Sequence, residues 1–332
     1  MASDRKLRWG VISTANIGRA AVNPAIQASA NGQLLAVASR DEGRAREFAR
    51  LAGIPRAYGS YEALLEDADI DAVYIPLPNS MHREWTIRAA RHGKHILCEK
   101  PLGLDPPECL EMEAAAAANG VRLMEAFMYR FHPRIDAATR LIRDGAVGEL
   151  KLIRSAFTFR LTRPDNIRLD PELGGGALMD VGCYCVNVSR TIFGREPVEA
   201  QAFAEWTPSG VDAELYGVLR FGDGLYAQFD CALNCERREV VEIVGTEGRM
   251  NLESAFLPGA GETTIDEHHG RRDNRRHVIA GEDEYRLMVE HFADCVLHDR
   301  PLRYDATEAG LNMKSIEALY RSARSRGGPV AV

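Results

Sequence analysis

Residues 7–40 read LRWGVISTANIGRAAVNPAIQASANGQLLAVASR, and this stretch decides the fold. The apolar run LRWGVIS (7–13) has the character of a buried strand. Small residues follow, then a helical pattern, AAVNPAIQASA (20–30), then a second apolar run, QLLAVASR (33–40). Strand, helix and strand at this spacing form a parallel crossover unit. The alternation continues outward: helices over 42–53 and 61–67, a strand over 71–77, a helix over 82–93, a strand over 94–100, a helix over 106–120 and a strand over 121–127. The fold class expected is α/β, with residues 1–127 forming a Rossmann-type, doubly wound parallel sheet.

From residue 150 the pattern changes. LKLIRSAFTFRL, VEAQAFAEW, AELYGVLRFG, GLYAQFDCALN and REVVEIVGTEG are strand-like, several alternate polar with apolar, and FGDGL between the third and fourth is a hairpin signal. Helical patterns return at 284–299 and 306–324. Residues 128–332 are therefore expected to form an α+β domain with a mostly antiparallel open sheet, the two domains being joined in the helical stretch 127–148.

Composition excludes several functions. The chain has 332 residues, 45% of them hydrophobic, which suits two globular domains rather than a disordered chain. A formal net charge of -7 gives no general attraction for nucleic acid or anionic lipid, and the basic run RRDNRR (271–276) reads as a solvated loop or strand edge. No apolar run reaches the roughly 18 residues of a membrane span, and the N-terminus has no signal-peptide pattern; a cytoplasmic protein is expected. The seven cysteines match no zinc or redox spacing and read as reduced, buried residues. The nine histidines form no HExxH, and His268 with His269 lies in a polar stretch, so no metal is expected.

A dinucleotide site needs small residues where the first strand turns into its helix, so that backbone N–H groups can approach a pyrophosphate. Ser13, Ala15 and Gly18 stand where G-x-G-x-x-G places its glycines, and Ser13, Thr14, Ala15, Asn16 and Ile17 are the candidate cofactor contacts there. The second strand ends in Ser39 and Arg40, followed by Arg44, where an acidic residue would hold a ribose 2′-OH; the first carboxylate, Asp41, comes one position late. Arginine at that place favours a 2′-phosphate, so NADP is expected, with NAD possible. The strand HILCEKP then delivers Glu99 and Lys100 before Pro101, at the sheet end where ligands bind.

These features together resemble the Gfo/Idh/MocA oxidoreductases. EKP at a strand end, GGGALMDVGCY (174–184) opening a helix, and the antiparallel second domain carry the resemblance over nearly the whole chain. WGVISTANI, LCEKPLG and MEAFMYRFHP are similar to the branch of NADP-dependent D-xylose dehydrogenases and dimeric dihydrodiol dehydrogenases. The resemblance implies that Tyr184 moves the proton at the reacting carbon. An ordinary phenol has a pKa near 10, so it needs help at neutral pH, and Lys100 is expected to stabilise the phenolate. Asp180, four residues earlier on one helix face, would orient Lys100 or the substrate hydroxyl. The three glycines would let the chain pass close to the cofactor. Pro78, Asn79 and His82 match positions near the nicotinamide ribose, an N-cap being the alternative for Asn79. Arg130, His132, Arg163 and Arg168 are candidates to meet sugar hydroxyls.

The function expected is NADP-dependent hydride transfer at a sugar or cyclic polyol carbinol, with an aldose 1-dehydrogenase acting on D-xylose or D-glucose as the first reading. Ketosugar reduction is the enzymatic alternative, and a non-catalytic dinucleotide-sensing regulator is the alternative of another class. A homo-oligomer formed through the second sheet is expected; nucleic-acid and membrane partners are not.

Overall fold

The computed structural model describes residues 5–270 and 273–332. The chain divides into two compact units, Met1–Met128 with Asp283–Gly310, and Tyr129–Glu282 with Leu311–Val332.

The first unit is built on strands β1 (Leu7–Ile12), β2 (Gly32–Ala38), β3 (Arg56–Tyr58), β4 (Ala72–Ile75), β5 (His95–Cys98) and β6 (Leu123–Glu125). They form a parallel sheet in the order β3-β2-β1-β4-β5-β6. All four residues of β4 are buried, as strands covered on both faces must be. Helices α1 (Asn23–Ala28, entered through a π turn, Gly18–Val22), α2 (Glu42–Ala52), α3 (Tyr61–Leu65), α4 (His82–Arg91) and α5 (Pro106–Ala118) connect them. Local signals fix the ends: Asp105 caps α5 by accepting the N–H of Glu108, and Gly53 closes α2 at φ 64°. The order reverses between β1 and β4, and this opens a crevice at the carboxyl ends of the strands.

One expectation is corrected here. Residues 283–310 do not belong to the second domain, whose expected span was the uninterrupted 128–332. Helix α8 (Glu284–Leu297) packs on β1, β2 and α1, with Phe292 tilted against Trp9 at 5.3 Å between ring centroids. Asn31 clasps it by donating to the Asp294 carboxylate (2.7 Å) and the Glu290 carbonyl (2.9 Å). The helical pattern of 284–299 gave no sign of which sheet would cover its apolar face. Strand β3, three residues long, also carried no pattern.

The second unit is a nine-stranded sheet of β7 (Leu150–Arg160), β8 (Glu199–Trp206), β9 (Asp212–Arg220), β10 (Tyr226–Ala232), β11 (Asn234–Gly245), β12 (Arg249–Glu253), β13 (Thr263–His269), β14 (Asp273–Ile279) and β15 (Val330–Ala331), counted among the described residues. The order is β14-β13-β12-β11-β7-β10-β9-β8-β15, antiparallel except where β7 and β10 run side by side. The FGDGL turn joins β9 to β10, with Gly222, Asp223 and Gly224 all at positive φ. Residues 273–276 of the basic run form the start of the edge strand β14, and residues 271 and 272 lie outside the described residues. Helices α6 (Pro133–Arg143), α7 (Cys183–Phe193) and, from Leu311, α9 (Ala306–Arg324) complete the unit. The seven cysteines are free thiols, all but Cys235 buried.

Candidate active site

In the first unit β1 ends at Ile12, and Ser13 takes up φ 131°, a conformation that side chains other than glycine's rarely adopt. Ser13 Oγ accepts the N–H of Ala15 (3.0 Å), which makes the turn tight. Thr14, Ala15 and Ile17 are half-buried and Asn16 is exposed, its amide oxygen accepting from Arg19 (2.7 Å). The strained turn stands where a glycine-rich loop meets a pyrophosphate, and it fits a dinucleotide on that account.

At the end of β2 the acidic residue is engaged elsewhere. Asp41 caps α2, its carboxylate accepting the N–H of Arg44 at 2.6 Å. The Asp41 carboxylate is thereby committed to the helix end, and Arg40 and Arg44 are exposed beside it. Ser39 is buried, and its Oγ accepts from the Asp41 N–H (3.3 Å).

The segment Glu99–Gly103 is tied down at several points. The Tyr74 hydroxyl donates to Glu99 Oε1 (2.6 Å), and the Leu102 N–H donates to the buried Glu125 carboxylate (2.8 Å). His82, fully buried, sets Nδ1 2.9 Å from the Pro101 carbonyl oxygen and Nε2 2.8 Å from that of Leu77. This corrects the expectation for His82: with both ring nitrogens held by the backbone, it supports the turn instead of contacting a ribose. Pro78 and Asn79 are half-buried in the turn before α4. Lys100, half-buried and joined to Pro101 by a cis peptide, emerges from this braced segment.

In the second unit the run GGGALMD enters a π turn, Leu178–Gly182, that continues as α7. Asp180 lies in the π turn and Tyr184 in the first turn of α7. π turns of this kind recur at functional sites. The Tyr184 ring is 5% exposed and packs against Tyr129, Phe157 and Phe256 at 5.9, 5.4 and 5.4 Å between centroids. Arg168 donates from Nε to Asp180 Oδ2 at 2.5 Å, so these two candidates meet in an ion pair.

The glycines have a reason within the unit itself. A Cβ on Gly175 would overlap the carbonyl oxygens of Arg168 and Asp170, and one on Gly176 would overlap the Asp212 carboxylate. Gly175 and Gly176 donate their N–H groups to the Asp170 and Arg168 carbonyls, both at 2.9 Å. The run lies flat on the loop that carries Arg168, so its small size is a demand of the unit's own packing.

His132 is also corrected. It is fully buried and caps α6, Nδ1 accepting the N–H of Arg134 (3.1 Å), and burial pulls its pKa down to about 4. Arg163 is exposed and paired with Asp165 (3.2 Å) within its loop, and Arg130 is half-buried in the turn Met128–Phe131. Sequence reasoning missed Tyr74 in the first unit, and Asp212, Tyr320 and the aromatic cage around Tyr184 in the second; each reaches its partner from a distant segment of its own unit.

Comparison with known proteins supplies the family. Residues 7–127 match the oxidoreductase family with an NAD-binding Rossmann fold, and residues 135–251 match the C-terminal domain of the same family. The chain is 39% identical over 322 residues to D-xylose 1-dehydrogenase (NADP(+)) 2 of Haloferax volcanii, covering 96% of this chain and 98% of that protein. The chain belongs to the Gfo/Idh/MocA oxidoreductases. A second relative in the family is the trans-1,2-dihydrobenzene-1,2-diol dehydrogenase of Mus musculus, 34% identical over 255 residues, 76% of either chain. Among solved structures, KijD10, a 3-ketoreductase from Actinomadura kijaniata in complex with NADP and TDP-benzene, superposes with a TM-score of 0.91 at 29% identity, covering 96% of this chain and 98% of that one. As a Gfo/Idh/MocA protein the chain is an oxidoreductase, on the fold expected for the family.

Proposed function

We propose that this protein is an NADP-dependent oxidoreductase of sugars or cyclic polyols, and that its first substrates are aldoses such as D-xylose and D-glucose, oxidised at C1. The observation that carries the reading is the Asp180–Tyr184 helix, with its caged phenol and its Arg168-paired carboxylate. Support for the substrate class comes from the likeness to a D-xylose 1-dehydrogenase over 96% of the chain. Arg40 and Arg44 at the end of β2, with Asp41 engaged in its helix cap, favour the 2′-phosphate.

When bound, NADP supplies the hydride acceptor. The chain's own residues do the rest. Ser13, Thr14, Ala15, Asn16 and Ile17 would hold the pyrophosphate of NADP through the backbone, and Pro78 and Asn79 would hold its nicotinamide end. Tyr184 takes the proton of the substrate hydroxyl, Lys100 assists through its positive charge, and Asp180 with Arg168 orients the sugar.

A homo-oligomer formed through the second sheet belongs to this reading. The face bearing Phe203 and Tyr216, directly paired across β8 and β9, leaves these rings 57% and 49% exposed.

The test is nicotinamide absorbance with NADP or NAD against aldoses, inositols and cyclic diols, for the wild type, Lys100→Ala and Tyr184→Phe. Turnover of an aldose with NADP preferred, lost in both variants, supports the reading. Turnover retained in Lys100→Ala overturns the assigned roles. A second reading, reduction of a ketosugar, is favoured by the likeness to the 3-ketoreductase, and oxidation of NADPH by a ketosugar alone would select it.

A further inference from the structure

A carboxylate from outside the motif holds the start of the active-site helix. Ala177, the residue in the N-cap position of the π turn, has no capping side chain. The first amides of any helix lack intrahelical partners, and here they are buried, so something else must accept from them. Asp212, the first residue of β9, does so. It is fully buried, and Oδ2 accepts the Leu178 N–H at 2.7 Å. The other oxygen, Oδ1, accepts the Tyr320 hydroxyl from α9 at 2.7 Å. Glycine at 176, with φ 121°, leaves room for this carboxylate, because a Cβ there would overlap Asp212 Oδ1 and crowd the Tyr320 hydroxyl.

We infer that Asp212, held by Tyr320, is a positioning residue for Asp180 and Tyr184: it clamps the first turn of the helix from which both project. The inference rests on the oxidoreductase reading above. Asp180 stands two residues beyond the clamped amide of Leu178, and Tyr184 one turn further. Small displacements of reacting groups reduce rates by large factors, so a frayed first turn lowers turnover without touching the first unit. Neither Asp212 nor Tyr320 is assigned as a proton carrier: the Tyr320 hydroxyl is spent on Asp212, and Asp212 is spent on Tyr320 and the Leu178 amide.

The experiment uses the full chain with Asp212→Ala, Asp212→Asn and Tyr320→Phe. Three quantities are read: amide hydrogen exchange over residues 177–184, the Kd for NADPH from nicotinamide fluorescence, and kcat with KM for the best substrate of the panel. Asp212→Ala is expected to speed exchange in 177–184 at least tenfold and lower kcat about tenfold or more, with the NADPH Kd within twofold of wild type. Asp212→Asn keeps an oxygen for Leu178 and restores both to within about threefold. Tyr320→Phe, which keeps the ring, decides the matter if Asp212→Ala does not fold; a smaller loss of kcat with faster exchange in the same segment is expected. Unchanged exchange and kcat in Tyr320→Phe, or loss of melting temperature alone in folded Asp212→Ala, overturns the inference. A wild-type chain that turns over no substrate overturns the functional reading instead, while exchange over 177–184 still decides the clamp.

Discussion

Gly176 and the Asp212 carboxylate compete for one position: a Cβ on the glycine would overlap Oδ1 of the aspartate, and the glycine's φ of 121° admits few side chains in any case. Gly176→Ala is therefore expected to destabilise the second unit by about 3 kcal/mol, combining backbone strain with a displaced buried carboxylate. Gly53→Ala is the control. It also sits at positive φ, but nothing lies within 4 Å of its missing Cβ, and the loss should be about 1 kcal/mol. Urea denaturation of both measures the difference.

Two buried groups of the second unit pull the pH dependence of stability in opposite directions. Burial pushes the Asp212 carboxyl up to about 6 against its hydrogen bonds, from a reference of 3.8. The stability it gives is full below that reference and lost as pH rises through 6. Burial, helped by Arg134, brings the His132 imidazole down to about 4 from 6.5. Its stability is present above 6.5 and lost as pH falls toward 4. Each effect is worth roughly 3 kcal/mol, so the two nearly offset in the wild type. Asp212→Asn removes the falling contribution, and its unfolding free energy should climb with pH between 4 and 6.5 more steeply than that of the wild type. Parallel curves would contradict this assignment.

His82 braces the segment that presents Lys100, with its two ring nitrogens on carbonyls of Leu77 and Pro101. Burial lowers the pKa of His82, so the neutral ring donates to one of these carbonyls at a time; replacing it with leucine removes that donor and should lower stability by about 1 to 3 kcal/mol. Faster amide exchange at Leu102, read in the same protein, would localise the damage to the turn after β5.

Arg168 and Asp180 form an ion pair at 2.5 Å, and the proposed function assigns the pair to the sugar. Arg168→Ala should raise the sugar KM about tenfold or more while leaving NADPH binding unchanged. Lysine should not restore it, because a point charge lacks the planar fork of donors. Equal effects on both ligands would place Arg168 elsewhere in the mechanism.

At the other ligand, Arg40→Ala and Arg44→Ala should each weaken NADP binding about tenfold with little change for NAD. Cofactor titrations by fluorescence give both constants directly.

Much of this was legible in the chain. Patterns with a period or a punctuation mark survive in one dimension, so the alternating strands and helices of 7–127, the FGDGL hairpin and the 306–324 helix stand where their patterns put them. Local chemistry acts on the same scale: Asp105 before Pro106 starts a helix through neighbours alone. Asn79 and the arginines carried no such mark, since a polar residue in a loop reads alike whether it caps, pairs or binds.

Sequence by itself determined the two kinds of sheet, the family, and the presence of Lys100, Asp180 and Tyr184 at spacings that suit one chemistry. Tertiary structure alone decided what each polar side chain faces. His82 and His132 turned out to be buried struts, the glycine run a bed for the Arg168 loop, and residues 283–310 a cover for the first sheet. Asp212 shows the reason most plainly. Its partners, Leu178 and Tyr320, lie 34 and 108 residues away along the chain. No local pattern records a hydrogen bond that forms only after a sheet has brought three distant segments together.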